Sequence, residues 1–182
     1  MAALPPITFV MGGARSGKSR YAEALVESGA DACVYLATAE AGDAEMAARI
    51  VAHRDRRGQR WTTIEEQLDL AGALHRACGH DRAVLVDCLT LWLSNLLGAN
   101  RDPVEETRAL LTALPELKGP VVFVSNEVGQ GVVPMNALAR RFVDEAGRLH
   151  QALAAVADSV IFVTAGLPQI LKGTATTTGK QT

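Results

Sequence analysis

Apolar and polar positions along the chain follow two different rhythms. Continuous runs of apolar, largely β-branched residues occupy positions 7–11, 33–37, 83–87, 121–125 and 160–164. Runs this short, without strict alternation, predict strands buried on both faces. Segments 18–28, 43–57, 66–77, 103–114 and 136–156 mix apolar and charged residues in the manner of helices packed on one side. Strand alternating with helix predicts an α/β fold with a mostly parallel central sheet and helices on both faces. In such sheets ligands bind beyond the carboxyl ends of the strands. With no internal repeat and no proline-rich or charged linker, the pattern predicts one domain over residues 1–172. Residues 173–182, polar and low in complexity, read as a flexible tail.

The junction between the first strand and the first helix carries the most explicit chemistry. Gly12, Gly13, Ala14, Arg15, Ser16, Gly17, Lys18 and Ser19 fit G-x-x-x-x-G-K-[ST], the phosphate loop, in its required position after a strand and before a helix. Glycines let the backbone approach phosphate oxygens, successive N–H groups form an anion nest, and the helix adds its positive end. Lys18 would reach the β- and γ-phosphates, and Ser19 would hold Mg²⁺. The third apolar run ends in Asp87, where a second acidic residue near Mg²⁺ is expected, although an Asp there equally starts a loop or caps a helix.

Composition narrows the class. The chain has 182 residues, 48% hydrophobic and 21% charged, and a formal charge of -2, which argues against a protein devoted to neutralising nucleic-acid phosphates. No apolar run approaches the length of a membrane span, and the first residues lack the features of a secretory signal, so a cytoplasmic protein is expected. Cys33, Cys78 and Cys88 lack metal-ligand spacing and read as reduced thiols.

Segment 43–57 is more unusual. On a helical period Arg49, His53, Arg56 and Arg57 share one face. A neutral imidazole among guanidiniums is a competent nucleophile toward activated phosphorus, yet a basic helix face is also commonly just solvated surface. Thr38 and Glu65 fall where loops could meet a nucleotide, or where turn residues belong. The polar, glycine-rich stretch 125–134 exceeds a minimal connection and suggests recognition or gating. His75, His80 and His150 have no metal-ligand spacing.

Four stretches together resemble one family. They are the phosphate loop with Arg20, the run Tyr35-Leu-Ala-Thr-Ala39, the helix segment Arg49-Ile-Val-Ala-His-Arg54, and the loop Asn126-Glu-Val-Gly-Gln-Gly-Val-Val-Pro134. They are similar to the bifunctional adenosylcobinamide kinase / adenosylcobinamide-phosphate guanylyltransferase of cobalamin assembly, over residues 7–172. The resemblance implies a three-layer, recombinase-core-like phosphate-loop fold and two reactions. Adenosylcobinamide is phosphorylated by a nucleoside triphosphate, GTP or alternatively ATP; GMP from GTP is then transferred to that phosphate through a guanylyl-histidine. Position by position it implies His53 and Lys18 as catalytic residues. GTP contacts would come from Gly12 to Ser19, Ala37, Thr38, Ala39, Arg54, Asp55, Arg56, Arg57, Glu65 and Asp87, with Mg²⁺ on Ser19 and Asp87. It also implies a corrinoid substrate and a homo-oligomer, a trimer in the family.

One position departs from the pattern: His150 stands where the family more often carries Asn. No Asn-Lys-x-Asp guanine-reading motif is present, so preference for guanine rests on the resemblance alone. Two other readings stay open at this point, a plain phosphate-loop kinase of another small alcohol and a nucleotide-dependent switch or assembly ATPase.

Overall fold

The computed structural model describes residues 4–39 and 58–173. Segment 43–57 and the tail after residue 173 lie outside the described residues. The five expected strands form with bounds shifted by at most a residue: β1 (Ile7–Gly12), β2 (Ala32–Ala37), β4 (Arg82–Asp87), β5 (Val121–Asn126) and β6 (Ser159–Thr164). Two further strands flank them, β3 (Trp61–Glu65) and β7 (Leu167–Lys172). All seven join one sheet in the order β3-β2-β4-β5-β1-β6-β7. Six run parallel, and β7 returns antiparallel to β6.

The helices are α1 (Lys18–Gly29), α2 (Leu70–Ala77), α3 (Leu89–Gly98), α4 (Pro103–Ala113) and α5 (Ala137–Val156). Two of the expected starts move inward because a polar side chain takes the cap position. Asp69 accepts from the Gly72 N–H ahead of α2, and Asn136 accepts from the Leu138 and Ala139 N–H groups ahead of α5. Residues 66–69, expected to be helical, form the lead-in to α2 instead.

Strand alternation divides the core. Phe9, Val34, Leu36, Val84, Val86 and Phe123 face a cluster completed by Leu74, Trp92, Leu96, Leu110, Leu149 and Leu153 from α2, α3, α4 and α5. Val10, Tyr35, Leu85, Val122, Val124 and Val163 face Ala22, Leu25 and Val26 of α1. The expected α/β architecture with helices on both faces is therefore present. Among the described residues it is lopsided, with α1 alone on one side.

Pairing register fixes the ligand edge. Ala37 lies opposite both Glu65 and Asp87, Asp87 opposite Val124, and Gly12 opposite Asn126. The ends of five neighbouring strands thus finish at nearly one level, beside the start of α1.

Candidate active site

The loop between β1 and α1 is held by its own backbone and by the far hairpin. The Ser16 N–H donates to the Gly13 carbonyl at 3.2 Å, and the Gly166 N–H donates to the Ser16 carbonyl at 2.8 Å. Gly17 caps α1 in a left-handed conformation, φ 95° and ψ 0°, which side chains other than glycine's rarely tolerate. A Cβ there would lie 3.1 Å from the Gly166 Cα, while a Cβ on Gly12 would collide with the Val163 carbonyl and the Ser16 hydroxyl. Gly13 differs, because a Cβ on it would meet nothing. Its open side is where a ligand can approach the backbone. No acidic residue occupies the first turn of α1, and the one side-chain contact there is a long one, the Lys18 N–H to the Ser16 hydroxyl at 3.4 Å, so the start of the helix keeps capacity for an anion.

Lys18 is 8% exposed, and its ammonium donates to the Gly13 carbonyl at 3.1 Å. The side chain thus folds back over the loop whose ligand it is expected to bind. Burial lowers its pKa, and the charge of Asp87 works against that lowering. Asp87 ends β4 on the α1 side and accepts a hydrogen bond from the Tyr35 hydroxyl at 3.1 Å. Cys88 is buried, and desolvation followed by the Asp87 charge pushes its thiol up to about 11, so it stays a neutral packing residue.

Thr38, at the exit of β2, spends its side chain inside the protein. It is fully buried; its hydroxyl donates to the Cys88 carbonyl at 2.8 Å and accepts from the Cys88 N–H at 2.9 Å. The Thr38 hydroxyl is therefore spent on tying the ends of β2 and β4 together. Asn95 of α3 donates to the Thr38 carbonyl at 2.8 Å, and Asn126 donates to the Thr90 hydroxyl at 2.9 Å. These bonds form a polar frame beneath Asp87 and the exit of β2. Ala37 is buried, Ala39 half-buried, and Glu65 exposed at the end of β3. His53, Arg54, Asp55, Arg56 and Arg57 lie outside the described residues.

Ser19 and Asp87, both half-buried, offer only oxygen donors on neighbouring elements. That set suits Mg²⁺, which takes one or two protein oxygens and completes its shell with water and phosphate. Among the described residues no group of three or more His, Cys, Asp or Glu side chains could form an all-protein metal cage.

Sequence reasoning missed one cluster. His150, marked in the sequence by its lack of metal-ligand spacing and its departure from the family pattern, is buried, with Nε2 2.7 Å from the Ser125 hydroxyl and Nδ1 3.8 Å from Glu127 Oε2. Its ring packs against Phe9 with centroids 5.5 Å apart. Burial lowers its pKa, opposed by the Glu127 charge. The Glu127 N–H donates to the Gly12 carbonyl at 3.0 Å, so the segment after β5 is fastened to the phosphate loop itself. A serine and a glutamate two apart at a strand end signal one shared face, but nothing in the sequence pairs them with a histidine on α5.

Comparison with known proteins decides the family. The profile of CobU, cobinamide kinase / cobinamide phosphate guanyltransferase, matches residues 8–171. The chain belongs to this family. The bifunctional adenosylcobalamin biosynthesis protein CobP of Pseudomonas aeruginosa is 54% identical over 167 residues, 90% of this chain and 96% of that protein. The bifunctional adenosylcobalamin biosynthesis protein CobU of Escherichia coli is 42% identical over 173 residues, 87% of this chain and 95% of that one. Membership makes the chain an enzyme, a cobinamide kinase / cobinamide phosphate guanyltransferase.

Among solved structures, a protein from Pyrococcus horikoshii OT3 superposes with a TM-score of 0.55 at 11% identity, covering 96% of this chain and 90% of that one. The flagellar accessory protein FlaH of Methanocaldococcus jannaschii gives 0.52 at 10% identity, covering 94% and 80%. At such identities the likeness concerns the fold alone. That fold is the recombinase-core kind of phosphate-loop sheet, with β5 inserted between the loop strand β1 and the acidic strand β4.

Proposed function

We propose that this chain performs two reactions in succession: phosphorylation of the aminopropanol hydroxyl of adenosylcobinamide by a nucleoside triphosphate, then transfer of GMP from GTP through His53. The observation carrying this reading is the family match across residues 8–171, which spans the phosphate loop and the segment with His53. His53 is the sole histidine between the end of β2 and the start of β3, and the connection it belongs to leaves the sheet at the ligand edge.

In the transfer, the His53 imidazole attacks the α-phosphorus of GTP. A nitrogen-to-phosphorus bond forms as the bond to pyrophosphate breaks, and the cobinamide phosphate then displaces the imidazole to give adenosylcobinamide-GDP. Lys18 and the α1 N-terminus meet charge building on the departing pyrophosphate, so positioning and electrostatics supply most of the acceleration. Mg²⁺, held by Ser19 and Asp87, would neutralise phosphate charge. Ala37, Ala39, Arg54, Asp55, Arg56, Arg57 and Glu65 complete the GTP contacts. The imidazole must be in line with the α-phosphorus and the substrate hydroxyl with the γ-phosphorus, so the two steps use different arrangements of the site.

Incubation with α-labelled GTP should leave an acid-labile, base-stable label on the protein. His53→Asn should lose that label and the guanylyl transfer while phosphorylation of adenosylcobinamide continues. Transfer at the wild-type rate by His53→Asn would overturn the covalent route. The same reading makes the chain a cytoplasmic homotrimer, for which Val132, Val133, Met135 and Leu138 offer exposed apolar surface; sedimentation as a monomer would remove it.

A further inference from the structure

Phosphorylating an alcohol requires a group to take the hydroxyl proton, and the carboxylates near the loop differ in their freedom to do so. Asp87 faces the α1 side, accepts the Tyr35 hydroxyl and offsets the Lys18 charge. Glu66 is spent on the Leu68 and Asp69 N–H groups ahead of α2 and on Arg76. Glu65 ends the outermost strand, β3, four strands from β1. The residue following Asp87 is Cys88, whose buried thiol lacks the basicity for the task at neutral pH in its protonated state. Glu127 remains.

Its backbone N–H is bonded to the Gly12 carbonyl, so its Cα is fixed relative to the cradle. By alternation along β5 its side chain shares the face of Ser125, opposite to that of Val124 and α1. Asp87 and Glu127 thus flank the phosphate site from the two faces of the sheet. Glu127 Oε1 accepts the Gly129 N–H at 2.6 Å, and Oε2 stands 3.8 Å from His150 Nδ1. A carboxylate has about four acceptor sites, so this pair of contacts orients the group without exhausting it. The side chain is 21% exposed, enough to reach a docked substrate, and the mostly exposed loop 129–133 beyond it opens the approach.

We propose that Glu127 is the general base of the kinase step and that His150, braced by Ser125, is its positioning residue. This rests on the kinase reading above. The acceptor oxygen bonds to the γ-phosphorus, its proton passes to Glu127, and the bridging oxygen–phosphorus bond breaks with its electron pair leaving on the nucleoside diphosphate. The proton then returns to water, so the glutamate is regenerated.

The test separates the two half-reactions by supplying either adenosylcobinamide or its phosphate to the full-length protein with Mg²⁺ and GTP. Glu127→Gln should lower kinase kcat by about 100-fold or more, with GTP affinity and labelling of the protein by GMP within about threefold of wild type. Glu127→Ala should regain kinase activity in added formate, a small carboxylate that a merely structural gap would not use. His150→Leu should lower kinase kcat with KM for adenosylcobinamide unchanged, and His150→Asn, which keeps an N–H donor toward Glu127, should restore most of it. Kinase kcat of Glu127→Gln within threefold of wild type, or Glu127→Ala indifferent to formate, overturns the assignment. A wild-type protein that phosphorylates no adenosylcobinamide overturns the kinase reading and this one with it, whereas normal wild-type activity with an intact Glu127→Gln overturns this one alone.

Discussion

Two glycines of the phosphate loop, with a third from the β6–β7 turn packed against it, make a controlled experiment on what glycine is for. Gly17 carries both constraints, φ 95° and a backbone neighbour 3.1 Å from a would-be Cβ. Gly166 carries only the first, φ 79° with open space around it. Gly13 carries neither. Placing alanine in a left-handed conformation costs about 1–2 kcal/mol. At Gly17 the contact adds to this, because the Gly166 backbone is pinned by its bond to the Ser16 carbonyl and cannot retreat freely. About 2–3 kcal/mol for Gly17→Ala, at roughly 2–4 °C per kcal/mol for a chain of this size, lowers Tm by about 4–12 °C.

Gly166→Ala should fall by about 2–8 °C on the conformational term alone. Gly13→Ala should melt within about 2 °C of wild type, as an unstrained surface substitution does, yet bind GTP tenfold or more weakly because its methyl occupies the approach to the loop backbone. Thermal melts followed by circular dichroism and calorimetric titration with GTP give both readings for each variant. Equal melting of Gly17→Ala and wild type would refute the strain argument. Unchanged GTP affinity in Gly13→Ala would refute the open side of the cradle as the phosphate face.

Two further outcomes follow from the polar frame. Thr38→Val leaves the buried N–H and carbonyl of Cys88 without the hydroxyl that serves both; the loss should be about 2–4 kcal/mol and roughly 5–15 °C in thermal melts, while Thr38→Ser should stay near wild type, and a stable valine variant would mean the frame is dispensable. His150, facing Ser125, Glu127 and the Phe9 ring, has its pKa held below the ordinary 6.5 by burial, so as pH falls through 6.5 the unfolded chain takes up a proton before the folded one does. Stability present above pH 6.5 is therefore lost below it until the folded imidazole also protonates; calorimetry from pH 8 to 5 should show that slope flattened in His150→Asn, and an identical slope in both proteins would contradict it.

What the sequence revealed of the fold follows from burial. Strands covered on both faces, such as Val121–Asn126, spell themselves out as unbroken apolar runs. The edges do not. Among the described residues Trp61–Glu65 has one strand neighbour and carries Thr62 and Thr63 toward solvent, so it reads as loop. Leu167–Lys172 is exposed at all six positions and contains Pro168, which an edge tolerates and a pattern search rejects. Leu89–Gly98 is apolar on nearly every side, without a side-chain cap at Cys88, and shows no amphipathic period to find.

The site divides the same way. The phosphate loop and the acid ending β4 are local in sequence, hence legible. The Ser125–His150 contact spans 25 residues and the Thr38–Cys88 bonds span 50; such pairings exist only once strands have registered. Thr38 illustrates the ambiguity, since a polar residue at a strand end looks the same whether it greets a ligand or laces two strands.

Because six strands point one way, each crossing departs from the business end of the molecule and returns to its quiet underside. Extra length inserted after Ala39 or after Gly129 lies beyond the last strand-to-strand bonds, those of Thr38 and Glu127, so those two departures are free to diverge while the chassis stays constant. Selection can therefore retool what the machine accepts by editing turns, and leave the folding instructions untouched.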